Sequence, residues 1–528
     1  MPSVILVLRS FATTIRWMMV VFGVLLAGAG DAAAGNNMDI VRDLAGRVGP
    51  IVGSALACRD IARNRIQVIV DKFAAVIREA SSNEAERSDL MQLLDRTVAD
   101  GRNAVTSGQM DCRSADRQLA DLERSIAPPS VAPALPPSFA TAATAPTAQV
   151  AVGPSVRGVT DREIRFGIAA PFSGPSKELG RQMKLGIETA FNRTNAAGGV
   201  EGRMLKLIAA DDAFTPARTA EAMKQLYEND KVFGVIGNVG TSTAAVAVPY
   251  ALERRMLFFG GFTGANVIRN DPPDRYVFNY RASYTEETDA AVRYFIKMRR
   301  ILPRQIAVFA PQQDPGGDAG FAGVAKAFRS LGFTDAGILR LEYKRNTVDV
   351  DDAVNLLKAQ KVPIKAVVMI ASYRAAARFI EKTRDLYPDM LYSNVSFVGS
   401  TALAEELKLL GPRYATGAIV TQVVPAVSGY SSIVLEYKNA LAKYFPGEAP
   451  DYVSLEGYVS ASVLIQALKR AGAQLDTEKL IDVLENMRNL DLGLGAQLSF
   501  GRAEHQASHK IWGTALDETG KYQAIELE

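Results

Sequence analysis

Histidine is nearly absent from this chain. Among 528 residues there are two, His505 and His509. A spacing of four sets two side chains on one face of a helix, but a metal site needs three or four ligands and no carboxylate motif accompanies this pair. Gly501 and the polar residues around them read instead as a loop with solvated histidines. No G-x-S-x-G elbow is present, and no side chain stands out as a nucleophile beside its base. The dinucleotide fingerprint G-x-G-x-x-G and the Gly-Lys-Ser/Thr phosphate loop are missing too; Gly237-Asn238-Val239-Gly240 is close in flavour and wrong in spacing. These absences argue against an enzyme, and against a nucleotide, a metal or any other cofactor.

Charge of one sign is also lacking. The net charge is +3, with no long basic stripe interleaved with aromatics, so nucleic acid is not an expected partner. Long apolar runs are confined to the start. Arg9 and Arg16 precede the stretch Trp17 to Ala29, and Ala32-Ala33-Ala34 follows with small residues. The apolar core is about 13 residues, short of the roughly 20 that cross a bilayer. This is the pattern of a cleaved secretory signal over residues 1–34; an uncleaved anchor is the alternative. No Cys ends the stretch, so a lipid anchor there is not expected.

Cysteine is as scarce as histidine, with Cys58 and Cys112 alone. Export permits a disulfide between them. Closing a loop of that length would stabilise by roughly 4 kcal/mol in the chain-entropy model. Two separate thiols are the alternative.

Three segments follow the signal. Residues 36–126 read as helical: Ile61, Ile66, Ile69, Phe73, Val76 and Ile77 recur near helical spacing, as do Leu90, Leu93, Leu94 and Val98. Ser81-Ser82-Asn83 breaks the two. An antiparallel helical hairpin, with Cys58 before its first helix and Cys112 after its second, fits a region too small for a large core. Residues 127–158 are rich in Pro, Ala, Ser and Thr and read as a semi-extended linker. From residue 159 to 528 short apolar runs alternate with amphipathic stretches. Candidate strands include Ile164–Ala170, Met204–Ala210, Val232–Ile236, Met256–Phe259, Gln305–Ala310, Ala366–Ile370 and Val395–Val398. Such alternation predicts an α/β fold of parallel sheets flanked by helices, in two lobes. Lobe 1 is expected over about 161–282 plus 424–498, and lobe 2 over about 285–420 plus 499–528.

Several of these strands run into small polar residues. Phe172-Ser173-Gly174-Pro175 follows the first, Asn238 to Thr243 follows Val235-Ile236-Gly237, and Gly260-Gly261-Phe262-Thr263-Gly264 follows Phe258-Phe259. Hydroxyls and backbone N–H groups at a helix start suit an anion such as a carboxylate, and glycine lets a ligand approach the backbone. Plain capping by Thr241 or Ser242 is the alternative. Three such loops point to one pocket at the strand ends, where open sheets bind ligands. Ser173 and Gly174 would form its rim.

The stretches FGIAAPFSGP, NRTNAAGGVEGRMLKLIAADDAFTPARTAEAMKQL, VFGVIGNVGTSTAAVAVP and FFGGFTGA, in this order, resemble the periplasmic leucine/isoleucine/valine-binding protein family, the type I solute-binding proteins of ABC importers. The resemblance covers roughly Ile164 to Leu527. It implies two lobes joined by three crossovers that close on a small ligand, typically an amino acid, in the periplasm, and a permease of the inner membrane as partner. The ligand's carboxylate would fall to Thr241, Ser242, Gly261 and Thr263, and aromatic cover to Tyr373 and Tyr284. Thr401 stands near where the family's amino-acid binders usually carry an acid for the ligand's ammonium. Gly316 stands where an aromatic residue is often found. An ammonium would then need another partner, such as Glu286 or Glu287, or the ligand lacks one. Leu179 would form an apolar wall. The rival function is a ligand sensor that signals to a membrane kinase or chemoreceptor, with the hairpin as its partner-binding arm.

Overall fold

The structure is a computed structural model that describes residues 34–58, single positions between 61 and 81, and residues 84–126 and 156–527. The expected signal peptide, apart from Ala34, and the expected linker up to residue 155 lie outside the described residues. The chain divides into two compact units, Met1–Thr147 and Ala148–Glu528.

The first unit is a helical bundle rather than the expected two-helix hairpin. Helices α1 (Ala34–Ala57), α2 (Glu84–Thr106) and α3 (Cys112–Ile126) are joined by further helical residues between 63 and 77. Helix α1 precedes Cys58, where the sequence pattern predicts no separate helix. Gly46, Gly49, Pro50 and Gly53 mask its period, because Gly and Pro oppose helix. In the fold two of those glycines are what lets α1 meet α2. A Cβ on Gly49 would lie 1.9 Å from Thr97 Oγ1, and one on Gly53 1.9 Å from the Val98 carbonyl. Val41, Ala45, Val48, Val52 and Ala55 form the buried stripe of α1, against Leu90 and Leu94 of α2 and Leu119 and Leu122 of α3. Cys58 and Cys112 are bonded, with Cα atoms 5.6 Å apart. The bond ties the end of α1 to the start of α3.

The second unit holds two sheets. The first comprises β1 (Glu163–Ala170), β2 (Met204–Asp211), β3 (Gly234–Ile236), β4 (Leu257–Phe259) and β5 (Val277–Phe278), all parallel in the order β2-β1-β3-β4-β5. Helices α4 (Lys177–Ala196), α5 (Pro216–Lys224) and α6 (Thr241–Glu253) connect them. Strands β3 and β4, buried throughout, read as continuous apolar runs, while the sequence pattern predicts no strand at β5.

The chain then crosses over and builds the second lobe: α7 (Tyr284–Arg293), β6 (Ile306–Pro311), α8 (Pro315–Ser330), β7 (Leu339–Tyr343), α9 (Asp351–Lys358), β8 (Ala366–Met369), α10 (Tyr373–Arg384), β9 (Leu391–Asn394), α11 (Ser400–Leu410) and β10 (Ile419–Gln422). It returns to the first lobe for α12 (Ser432–Tyr444), α13 (Tyr452–Ala471) and α14 (Thr477–Glu485). There α13 lies so close to α4 that a Cβ on Gly186 would sit 1.8 Å from the Ser454 carbonyl. A third crossover delivers β11 (Trp512–Leu516) and β12 (Tyr522–Ile525) to the second sheet, whose order is β12-β11-β10-β9-β8-β6-β7. This sheet is mixed, since β10–β11 and β11–β12 pair antiparallel.

Three sequence expectations change here. Val395–Val398 is not a strand: β9 ends at Asn394, and Ser396–Val398 is a single 3-10 turn. The last crossover falls later than residue 499. The Asn279 N–H donates to the His505 carbonyl (2.8 Å), and the Ala507 N–H donates to the Asn279 carbonyl (2.8 Å), so residues up to about 508 run beside β5 in lobe 1. Third, His505 is not solvated. It is buried, with its ring stacked 3.8 Å from that of Phe278 and its Nδ1 2.9 Å from the Val277 carbonyl.

Candidate ligand cleft

The C-terminal ends of both sheets face one another, and the loops leaving them meet across a cleft. Arg345, after β7, donates from Nη1 to the Phe214 carbonyl after β2 (2.7 Å), and Asn346 reaches the Ala213 carbonyl (3.4 Å). A Cβ on Gly316, at the start of α8, would lie 2.7 Å from Thr241 Oγ1 at the start of α6. A Cβ on Gly399 would lie 2.5 Å from a methyl of Leu179 and 3.8 Å from the Tyr373 ring. The bare Gly316, unexpected by comparison with the resembling family, is what lets the two helix starts approach.

The first lobe contributes hydroxyls. Thr241 and Thr263 are buried, with their Oγ1 atoms 2.7 Å apart. Burial pushes the Tyr284 phenol up to about 12, although the Thr263 hydroxyl bonds to it. Helix α6 starts after Gly240, whose φ of 104° suits glycine, and it has no side-chain cap. Ser242 Oγ is buried without a hydrogen-bond partner. Helices α4, α10 and α11 also begin uncapped, whereas Asp314 caps α8 by accepting from the Gly316 and Gly317 N–H groups. Helix starts that no carboxylate satisfies leave a positive potential in the cleft.

The other predicted site residues divide. Tyr373 is buried in the second lobe, and its hydroxyl is turned towards the Glu178 N–H across the cleft without completing a hydrogen bond. Tyr284 opens α7 at the first crossover, with its N–H on the Gly264 carbonyl (2.7 Å). Ser173 is exposed, and its hydroxyl is taken by Asp211 (2.6 Å), so it braces its own loop rather than pointing inwards. Gly261 gives room to the core: a Cβ there would lie 2.8 Å from the Phe258 ring. Thr401 bonds to the buried Asp451, which caps α13 by accepting from the Val453 and Ser454 N–H groups. Burial raises the Asp451 carboxyl against these donors.

Glu286 and Glu287 do not offer free carboxylates. Glu286 closes a capping box with Ser283 and also bonds Gln506 and His509. Burial pushes it up, yet His509, Ser283 and Gln506 outweigh burial and hold it at about 2. Glu287 is fully buried and bonds Arg281 (2.9 Å), Thr421 (2.6 Å) and the N–H of Ser396 (2.7 Å). Arg281, itself buried, also faces Glu456 at 3.4 Å. Burial raises Glu456 to about 7, against the pull of Arg281.

Phe397 lies in Val395–Val398, which the sequence predicts as a strand and the structure folds as a turn. It is presented by the turn after β9, with Ser396 held by Glu287. Its ring lies 6.1 Å from that of Phe214, 5.3 Å from Phe262 and 6.4 Å from Tyr284. Among the described residues no cluster of His, Cys, Asp or Glu is suited to hold a metal.

Two α/β lobes, crossed three times by the chain and meeting over a cleft of hydroxyls and aromatic rings, define a hinged ligand-binding protein. The chain belongs to the periplasmic binding protein family, whose model matches residues 163–521. It is 25% identical over 339 residues to Leu/Ile/Val-binding protein homolog 3 of Brucella melitensis, covering 63% of this chain and 86% of the relative. It is 24% identical over 384 residues to the Leu/Ile/Val-binding protein BraC3 of Rhizobium johnstonii, covering 69% and 94%. A crystal structure described as a possible leucine/isoleucine/valine-binding protein from Rhodopirellula baltica SH 1 superposes with a TM-score of 0.66 at 36% identity, over 70% of this chain and 97% of that one. The resemblance seen in the sequence thus holds for the second unit, while the helical bundle precedes the matched residues.

Proposed function

We propose that this chain is an exported periplasmic solute-binding protein that closes its two lobes on a small carboxylate and hands it to the membrane permease of an ABC importer. No bond is made or broken; the work is a shift of population from open to closed, driven by contacts to both lobes. The observation that carries the reading is the start of α6. It is uncapped and bears the partnerless Ser242 hydroxyl, and its first residue, Thr241, meets the start of α8 of the other lobe at Gly316. Thr241 and Thr263, coupled through their hydroxyls, would orient the carboxylate from beside it.

The test is a thermal-shift and calorimetry screen of the full chain against amino acids, amine-free carboxylates and amides. A ligand at a hundred times its dissociation constant stabilises by about 2.7 kcal/mol, a shift of several degrees. Response to amides and to no carboxylate would overturn the reading. Permease delivery is checked by ligand-dependent association of the chain with permease vesicles. Association with a kinase or chemoreceptor instead would favour the sensor.

A further inference from the structure

We propose that the cleft selects carboxylates that carry no ammonium and have an apolar body; this rests on the carboxylate reading above. The first argument is a census of negative charge. A buried ammonium requires a charged partner, so a cleft built for one would hold an acid in reserve. The acids borne by the cleft loops and the hinge are each engaged. Asp212 accepts from the Phe214 N–H (2.9 Å) and the Thr219 hydroxyl (3.0 Å). Asp314 serves the Gly316 and Gly317 N–H groups and lies 3.9 Å from Arg345. Asp451 is taken by two N–H groups and Thr401. Glu287 and Glu456 share one guanidinium, that of Arg281.

The second argument is what is left unengaged. The buried hydroxyls of Ser242 and Tyr373 have no partner, on opposite lobes. The start of α6 beside Ser242 carries no side-chain cap, and such a helix start draws an anion and repels an ammonium.

The third argument concerns the walls. Phe397 reaches Phe214 and Phe262 from the facing lobe, and Leu179 lies over Gly399. These surfaces gain by covering carbon, not by solvating charge.

The experiment is titration calorimetry of the full chain with matched pairs that differ only in the α-amine: 3-phenylpropanoate against L-phenylalanine, and 4-methylpentanoate against L-leucine. The amine-free member of at least one pair should bind ten times more tightly or better than its amino acid. Equal or tighter binding of the amino acids would overturn the proposal while leaving the carboxylate site standing. Binding of lactate with neither amine-free apolar acid would overturn the apolar body. Binding of no carboxylate at all would overturn the carboxylate site and this inference with it.

Discussion

The two walls of the cleft are built from the same parts and do different jobs. Both place strand ends and helix starts at the gap. On the first lobe those positions carry Thr241, Ser242 and Thr263, small hydroxyls on loops fixed by a parallel sheet. On the second lobe they carry Phe397, Tyr373 and Arg345, large groups that reach across. Under the proposed function, the difference would set an order of events: the first wall would recognise the anion, with short side chains that lose little rotamer freedom, and the second would add area once the lobes approach.

The comparison can be broken or sharpened by substitution. The largest effect is expected beneath both walls. Arg281→Met leaves Glu287 and Glu456 buried without their cation, and should cost about 3–5 kcal/mol of stability in urea unfolding. A loss below about 1 kcal/mol would mean the cluster holds neither wall in place. On the first wall, Ser242→Ala should weaken binding of the ligand found by calorimetry by about 1.5–3 kcal/mol, the range for a hydrogen bond to a charged group. Its melting temperature without ligand should stay unchanged, since the hydroxyl has no partner within the protein. On the second wall, Tyr373→Phe should weaken binding by only about 0.5–1.5 kcal/mol. If Tyr373→Phe costs more than Ser242→Ala, recognition belongs to the second lobe and the division fails.

The last test is at the hinge and is read through pH. Glu286 is held at about 2 against an ordinary 4.5. A lowered carboxylate stabilises the fold fully above its ordinary value, and that contribution fades as pH falls through the folded value. Unfolding measured between pH 4.5 and 2 should therefore fall less steeply for Glu286→Gln than for the parent. Parallel curves would remove His509 and Gln506 as its stabilisers.

Much of the first wall was legible, because it is local. An apolar run ending in Gly-Asn-Val-Gly-Thr-Ser announces both the strand and the helix start, and the hydroxyls follow within a few residues. The second wall was less legible, because its roles come from distant pairings. Thr401 is claimed by Asp451, fifty positions on, and Ser396 by Glu287 before it. Neither pairing leaves a periodic trace. Phe397 sits in the four-residue stretch Val395-Ser396-Phe397-Val398, which strand and turn share equally well, and only the fold chooses. His505 misled for a similar reason: its polar neighbours suggested water, while Phe278 supplies a ring from more than two hundred residues away. In the first unit, glycines that lower helix propensity hid α1, although they are what its packing needs.

Gly316 is one of the places where the lobes touch at backbone thickness: a Cβ there would lie 2.7 Å from Thr241 Oγ1. Under the closing motion proposed above, this contact would act as one stop of a calliper, beside Gly399 against Leu179 and Phe397 against Phe214, and a methyl at Gly316 would push the two helix starts apart and widen the gap.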